Sequence, residues 1–155
     1  VASAGVAVCL MHMRGTPATM QSAPEYRDVV AEVRDFLVSR ARACEAAGIA
    51  RDRIVVDPGF GFGKTQAHNL DLLAGLTAIA AAGYPVLAGL SRKSMLGAIT
   101  GRPGSGRTAA SVAGALLAVE RGASIVRVHD VRETVDALAV WRALDERERE
   151  RGRTE

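Results

Sequence analysis

Aromatic residues are scarce in this chain. Three Phe, two Tyr and one Trp make up 4% of 155 residues. No stretch interleaves rings with basic residues, as a nucleic-acid-binding face requires. The net charge of +3 and pI near 9.3 are only mildly basic. Part of that excess sits in the alternating terminal run "ERERERGRTE" (146–155), which reads as a solvated helix end or tail. Nucleic acid is therefore not an expected partner. Cysteine is nearly absent as well. Cys9 and Cys44 lie far apart, form no CxxC pair and sit in apolar patterns, so buried, reduced thiols and a cytoplasmic setting are expected. There is no apolar run of membrane-spanning length and no signal peptide, so no membrane is expected as a partner. An initiator methionine is missing too. The chain opens "VASAGVAV" and enters a strand-like run at once, so a piece of something longer is expected.

What is present suits a packed α/β domain. The chain is 48% hydrophobic and 24% charged, with 16 glycines and abundant alanine, small residues that let helices approach a sheet. Strand-like and helix-like patterns alternate four times. "GVAVCLMHM" (5–13), "RIVVDPG" (53–59), "YPVLAGLS" (84–91) and "SIVRVHD" (124–130) read as strands. Between them run helical periodicities. The first is expected to start at a capping box, Ser22-x-x-Glu25 with Pro24 in its first turn, and to end at Gly48. The second runs through Leu70, Leu73, Leu76 and Ile79 to Gly83. The third follows the loop "GRPGSGR" through Val112, Leu116 and Val119 to Gly122. The last spans Val131 to Leu144, with Asp130 as its N-terminal cap. Apolar strands without in/out alternation imply a parallel sheet under helices. An open doubly wound sheet and half of a (β/α)8 barrel both satisfy that pattern.

Each strand ends in polar chemistry: "MHMRG", "DPGFG", "GLSRK" and "RVHD". In parallel α/β folds the strand C-termini share one edge, where ligands bind. Four polar motifs at equivalent positions point to a site there. Arg127 and His129 are two apart, so on a strand they face one side and invite an anion such as phosphate; the bland alternative is a structural ion pair. Asp57, before Pro58, can accept two parallel hydrogen bonds from an amidine-like edge, or simply cap a loop. Lys93 can anchor a ring and a phosphate, while Arg92 alternates with it toward the outer face. His12 is open between ligand contact and core packing, with no companion ligands suggesting a metal. His68 reads as a surface or capping residue.

"DPGFGFGKT" (57–65) invites a P-loop reading, which its spacing excludes. A Walker A loop, G-x-x-x-x-G-K-[ST], counted back from Gly63, needs a glycine where Pro58 stands. Proline also lacks the N–H that a phosphate cradle uses. Lys64 and Thr65 therefore read as the exit into the next helix.

Together "MHMRGTPATMQ" (11–21), "DPGFGFGK" (57–64), "GLSRKSMLG" (89–97) and "IVRVHDV" (125–131) resemble the dihydropteroate synthase family, in its order and at similar spacing. The resemblance covers essentially the whole chain. It implies the C-terminal half of a (β/α)8 barrel over residues 1–145, with 146–155 a charged helix end or tail. It implies an enzyme of folate synthesis, a sulfonamide target. The reaction joins 6-hydroxymethyl-7,8-dihydropterin pyrophosphate to p-aminobenzoate, giving dihydropteroate and pyrophosphate. By the same resemblance Asp57 holds the 2-amino/N3 edge of the pterin and Met11 walls its slot. Lys93 lies between the pterin and p-aminobenzoate, and Ser91, Gly61 and Phe62 line the p-aminobenzoate pocket. Arg127 and His129 bind the pyrophosphate, and Val128 between them is a substrate-binding residue. A magnesium ion, with its ligand in the family's other half, and a homodimer are also implied. The family's first four strands, their two mobile loops and half of the site have no counterpart here, so this chain alone is expected to be inactive. Two rivals remain: a pterin-binding methyltransferase-type barrel domain, which should lack the "SRK" and "RVHDV" pair, and a non-catalytic half-barrel.

Overall fold

In the computed structural model, which describes residues 1–16, 18–20 and 23–152, the four apolar runs become four short strands. They are β1 (Val8–Met11), β2 (Ile54–Asp57), β3 (Val86–Ala88) and β4 (Ala123–Val126). They form one parallel sheet in the order β1-β2-β3-β4. Six helices accompany them: α1 (Val29–Ala46), α2 (Gln66–Ala74), α3 (Leu76–Ala80), α4 (Ser94–Thr100), α5 (Thr108–Glu120) and α6 (Val131–Arg151). Right-handed crossovers that always step to the next strand keep every helix on one face. A doubly wound sheet must instead reverse its order at a switch point. Strictly sequential strands therefore decide for half of a (β/α)8 barrel.

The core lies between the helices and one sheet face. Val29, Val33, Leu37 and Ala41 recur every fourth residue along α1 and are all buried. They meet Ile54 and Val56 of β2, Val86 and Ala88 of β3, and Leu72, Leu76 and Ile79 of α2 and α3. Each such Leu, Ile or Val contributes about 2 kcal/mol of burial. The opposite face is open: Met11, Ile125 and Cys9 are exposed, so Cys9 is not the buried thiol its apolar strand suggested, and Cys44 is only half-buried. Parallel pairing sets Met11 beside Asp57 at the strand ends of that face.

Four boundaries differ from expectation. α1 begins at Val29, capped by Asp28, whose Oδ1 accepts from the N–H groups of Val30 and Ala31 at 3.0 Å each. Of the expected capping box, Ser22 lies outside the described residues, and Glu25 precedes the helix. Tertiary contacts win there. The Tyr26 hydroxyl donates to Gly63 O at 2.9 Å, and Arg14 donates to Glu25 O, drawing residues 23–28 across the β2 loop as an arm. The second helix is two, interrupted at Gly75. A further helix, α4, follows "SRK" and was not anticipated. Its Gly97 makes it a weak helix by propensity, and the Arg107 guanidinium lies directly on that glycine. Finally, β4 ends at Val126, so Arg127 and His129 lie just beyond the strand rather than in it. The main chain still tracks β3 there, because Arg127 N–H donates to Ala88 O at 3.0 Å. At the other end α6 runs unbroken through Asp145 to Arg151.

Candidate active site at the strand ends

The β2–α2 loop carries the opening motif, and a set of side chains from four elements shapes it. Asp57 Oδ1 accepts from Gly59 N–H at 2.7 Å, turning the chain back immediately after the strand. Gly59 then passes under the end of β1. Its φ is +69°, and an added Cβ would sit 1.9 Å from His12 O, so only glycine fits. Asn69 of α2, itself buried, accepts from Gly61 N–H at 2.7 Å and donates to Thr65 O at 2.7 Å. Thr65 caps α2 in a reciprocal box with His68, so His68 is a capping residue, as the sequence suggested. Lys93 donates to Phe60 O and stands 4.2 Å above the Phe62 ring. Its aliphatic stem fills the space beside Gly61, where a Cβ would come within 3.1 Å.

Lys64 leads into α2 directly before its cap, Thr65, as the sequence suggested, but it is buried, at 3% exposed. Its ammonium donates to Gly59 O at 3.0 Å and Phe62 O at 3.1 Å, and lies 3.0 Å from His12 Nδ1. His12 is likewise settled as an inward residue. Its ring packs edge-on to Phe36 with centroids 5.0 Å apart, and its N–H continues the sheet by donating to Asp57 O at 3.0 Å.

The ends of β3 and β4 supply the rest. Ser91 Oγ lies 2.9 Å from His129 Nδ1 and accepts from His129 N–H at 3.1 Å. Arg127 lies along bare Gly89, where a Cβ would be 2.8 Å from its Nη2. Arg127 and His129 are exposed, and Val128 between them is half-buried. Two neighbours were read differently in sequence. Asp130 stands at the N-cap position of α6 but makes no side-chain cap bond. Its carboxylate instead takes two bonds from the Arg92 guanidinium, at 2.7 and 3.2 Å. Arg92 is thus a partner of Asp130 rather than an outer packing residue. It has a φ of +58°, a conformation that costs a non-glycine residue about 1–2 kcal/mol. Surrounding bonds hold it. Arg92 N–H donates to Ser111 Oγ at 2.9 Å, and Arg107 donates to the carbonyls of Arg92 and Lys93 at 3.0 and 3.3 Å. This brace orients Lys93.

The electrostatics centre on Asp57. It is 6% exposed, and burial raises its pKa, opposed by the Gly59 N–H and by Lys93, Arg127 and Lys64. Burial also lowers both lysines, Lys64 to about 8. The His12 imidazole is pushed to about 4 by burial and by the Lys64 charge, so it is neutral near pH 7. The Lys64 ammonium is taken up by its own three partners, so Asp57 can read a pair of N–H donors while Lys93 and Arg127 meet an anion. A cavity of about 720 Å³ lies apart from this group, lined by Arg14, Tyr26, Glu32, Thr65 and His68 among others. Its Arg14 is already paired with Glu32 at 2.6 Å, so the cluster at the strand ends, rather than this hollow, marks the site.

Of the residues singled out in sequence, Met11, Asp57, Gly61, Phe62, Ser91, Lys93, Arg127, Val128 and His129 all come to this one edge. Lys64, Asn69, Tyr26 and Arg107 were missed. No spacing rule distinguishes a buried lysine that closes a loop from a solvated one.

Comparison with known proteins identifies the family and the fold. The family model described as "Pterin binding enzyme" matches residues 1–129. Dihydropteroate synthase of Neisseria meningitidis serogroup C is 55% identical over 143 residues, covering 91% of this chain and 50% of that protein. Among solved structures, the Yersinia pestis dihydropteroate synthase with a sulfonamide drug complex superposes with a TM-score of 0.91 at 46% identity, covering 94% of this chain and 53% of that one. The Xanthomonas albilineans enzyme with 7,8-dihydropteroate gives 0.87 at 54% identity, covering 94% and 53%. It has also been solved with 4-aminobenzoic acid. This chain therefore spans about half the length of the curated relatives it matches.

Proposed function

The chain belongs to the family of pterin-binding enzymes, and from that premise we propose that it forms the C-terminal half of the catalytic barrel of a dihydropteroate synthase. The observation that carries this reading is the meeting of Asp57, Lys93 and Arg127, from three different strand ends, around one open edge. In this reading Asp57 accepts the N3–H and 2-amino N–H of the pterin. One oxygen is already held by Gly59, which aims the group. Arg127 and the Ser91–His129 pair take the pyrophosphate. Its departure breaks the C–O bond and sends the electron pair to the leaving oxygen, so cations placed there stabilise charge as it develops. The p-aminobenzoate amine, lying against Phe62 beside Lys93, forms the new C–N bond with the freed methylene carbon and releases one N–H proton to water. No protein nucleophile is needed, and positioning does most of the work. A sulfonamide, which the Yersinia pestis relative binds, is expected to compete for the Phe62 side.

Magnesium does not fit these residues. Of the two carboxylates at the strand ends, Asp57 feels three cations and Asp130 is taken by the Arg92 guanidinium. Among the described residues no group of three His, Cys, Asp or Glu could hold an ion, and no buried side-chain nitrogen or oxygen lacks a partner. No step is therefore routed through the metal, and any magnesium ligand belongs to the rest of the enzyme. A homodimer and a cytoplasmic location are part of the same proposal. The exposed apolar Val131, Val135, Val140 and Leu144 along α6 and the two free cysteines support them. No helix among the described residues is long and apolar enough to cross a membrane.

The test is a synthase assay on two proteins. The full-length enzyme that carries this chain should form dihydropteroate from dihydropterin pyrophosphate and p-aminobenzoate. The 155-residue chain alone should form none. No product from the full-length enzyme overturns the function, and product from the isolated chain overturns the division of the site.

A further inference from the structure

Lys64 has no part in the chemistry above, yet its charge is among the most deeply buried in the molecule. We propose that Lys64 is a positioning residue that sets the Phe62 wall, and thereby the aryl-amine side of the site; this rests on the synthase reading. An ammonium has three donors, and here three acceptors meet it: Gly59 O at 3.0 Å, Phe62 O at 3.1 Å and His12 Nδ1 at 3.0 Å. The first two lie at either end of the turn that Phe62 N–H closes onto Gly59 O at 3.1 Å. Holding both carbonyls on one point curls residues 59–62 inward and presents the Phe62 ring to Lys93, 4.2 Å away. The third acceptor ties this turn to the end of β1, because His12 is itself fixed against Phe36 and bonded to Asp57 O.

The rest of the loop does not depend on Lys64. Gly61 N–H is held by Asn69, Gly63 O by Tyr26, Phe60 O by Lys93, and Gly59 N–H by Asp57. Loss of the ammonium therefore frees the Phe62 end of the turn while the fold and the pterin-facing Asp57 keep their ties. A role in positioning and a role in folding then separate in kinetics. Loss of fold lowers the active fraction and leaves both KM values unchanged, whereas loss of position weakens the substrate that Phe62 faces.

Lys64→Met in the full-length enzyme removes the donors and keeps the length of the side chain. The KM for p-aminobenzoate should rise about tenfold or more, with kcat and the KM for the pterin pyrophosphate within about threefold of wild type. An unchanged p-aminobenzoate KM overturns the proposal, as does an equal rise for both substrates. A Lys64→Met enzyme that cannot fold also overturns it, because the remaining ties were then not sufficient to hold the loop. A wild-type enzyme without turnover fails at an earlier point, in the synthase reading itself.

Discussion

Asp57→Asn isolates the recognition step, because the two side chains have the same shape and opposite bonding on one atom. In the folded protein Oδ1 of Asp57 accepts from Gly59 N–H at 2.7 Å. An asparagine keeps that bond through its carbonyl oxygen, so the loop turn survives. Its NH₂ group then occupies the position of the second carboxylate oxygen, facing the pterin donors. Two charge-assisted acceptor positions become one shared acceptor and a donor set against a donor. Each hydrogen bond to a charged group is worth about 1.5–3 kcal/mol. Losing at least one, with the repulsion added, costs about 3–4 kcal/mol, or roughly two to three powers of ten in Kd. Titration calorimetry of the full-length enzyme with a pterin ligand measures this directly. A pH series adds an internal check. Burial raises the Asp57 pKa above its ordinary 3.8, and pterin binding needs the carboxylate. Wild-type affinity is therefore present above the raised pKa and falls as the pH drops through it, while the Asn variant has no such acid limb. An Asn variant that binds pterin within about threefold of wild type would refute the assignment of Asp57 to the pterin edge.

Two further predictions concern the scaffold of the site. His12 has a folded pKa near 4 against 6.5 in the unfolded chain, so the unfolded state binds more protons between those values and stability rises with pH across that window. Urea unfolding from pH 7 down to pH 4 should show this progressive loss, and His12→Asn should flatten the slope; an unchanged slope rules out the buried neutral imidazole. Gly59→Ala must place a Cβ at a φ of +69° and 1.9 Å from His12 O. It should destabilise the protein by about 3 kcal/mol or more through backbone strain and displacement of the β1 end, and an unfolding midpoint equal to that of wild type would show that the loop yields freely.

The alternating pattern of apolar runs and helical stripes was enough to place all four strands and most helices, because burial on a sheet demands that periodicity whatever the partners. The polar residues at each strand end could be read in the same way, since parallel strands share one ligand-bearing edge. Residues whose meaning depends on distant partners were not legible. Lys64 reads only as the exit into the next helix until Gly59, Phe62 and His12 converge on it. Asp130 has the position of a helix cap, but Arg92, 38 residues earlier, takes its carboxylate and no side-chain cap bond forms. Ser22 and Glu25 carry a capping signature, yet the bond from Tyr26 to Gly63 turns residues 23–28 into an arm and the helix starts at Val29. Local signals of this kind are worth about 1 kcal/mol each, so a long-range hydrogen bond or ion pair can override them. The hydrophobic pattern is summed over whole elements, and it was not overridden.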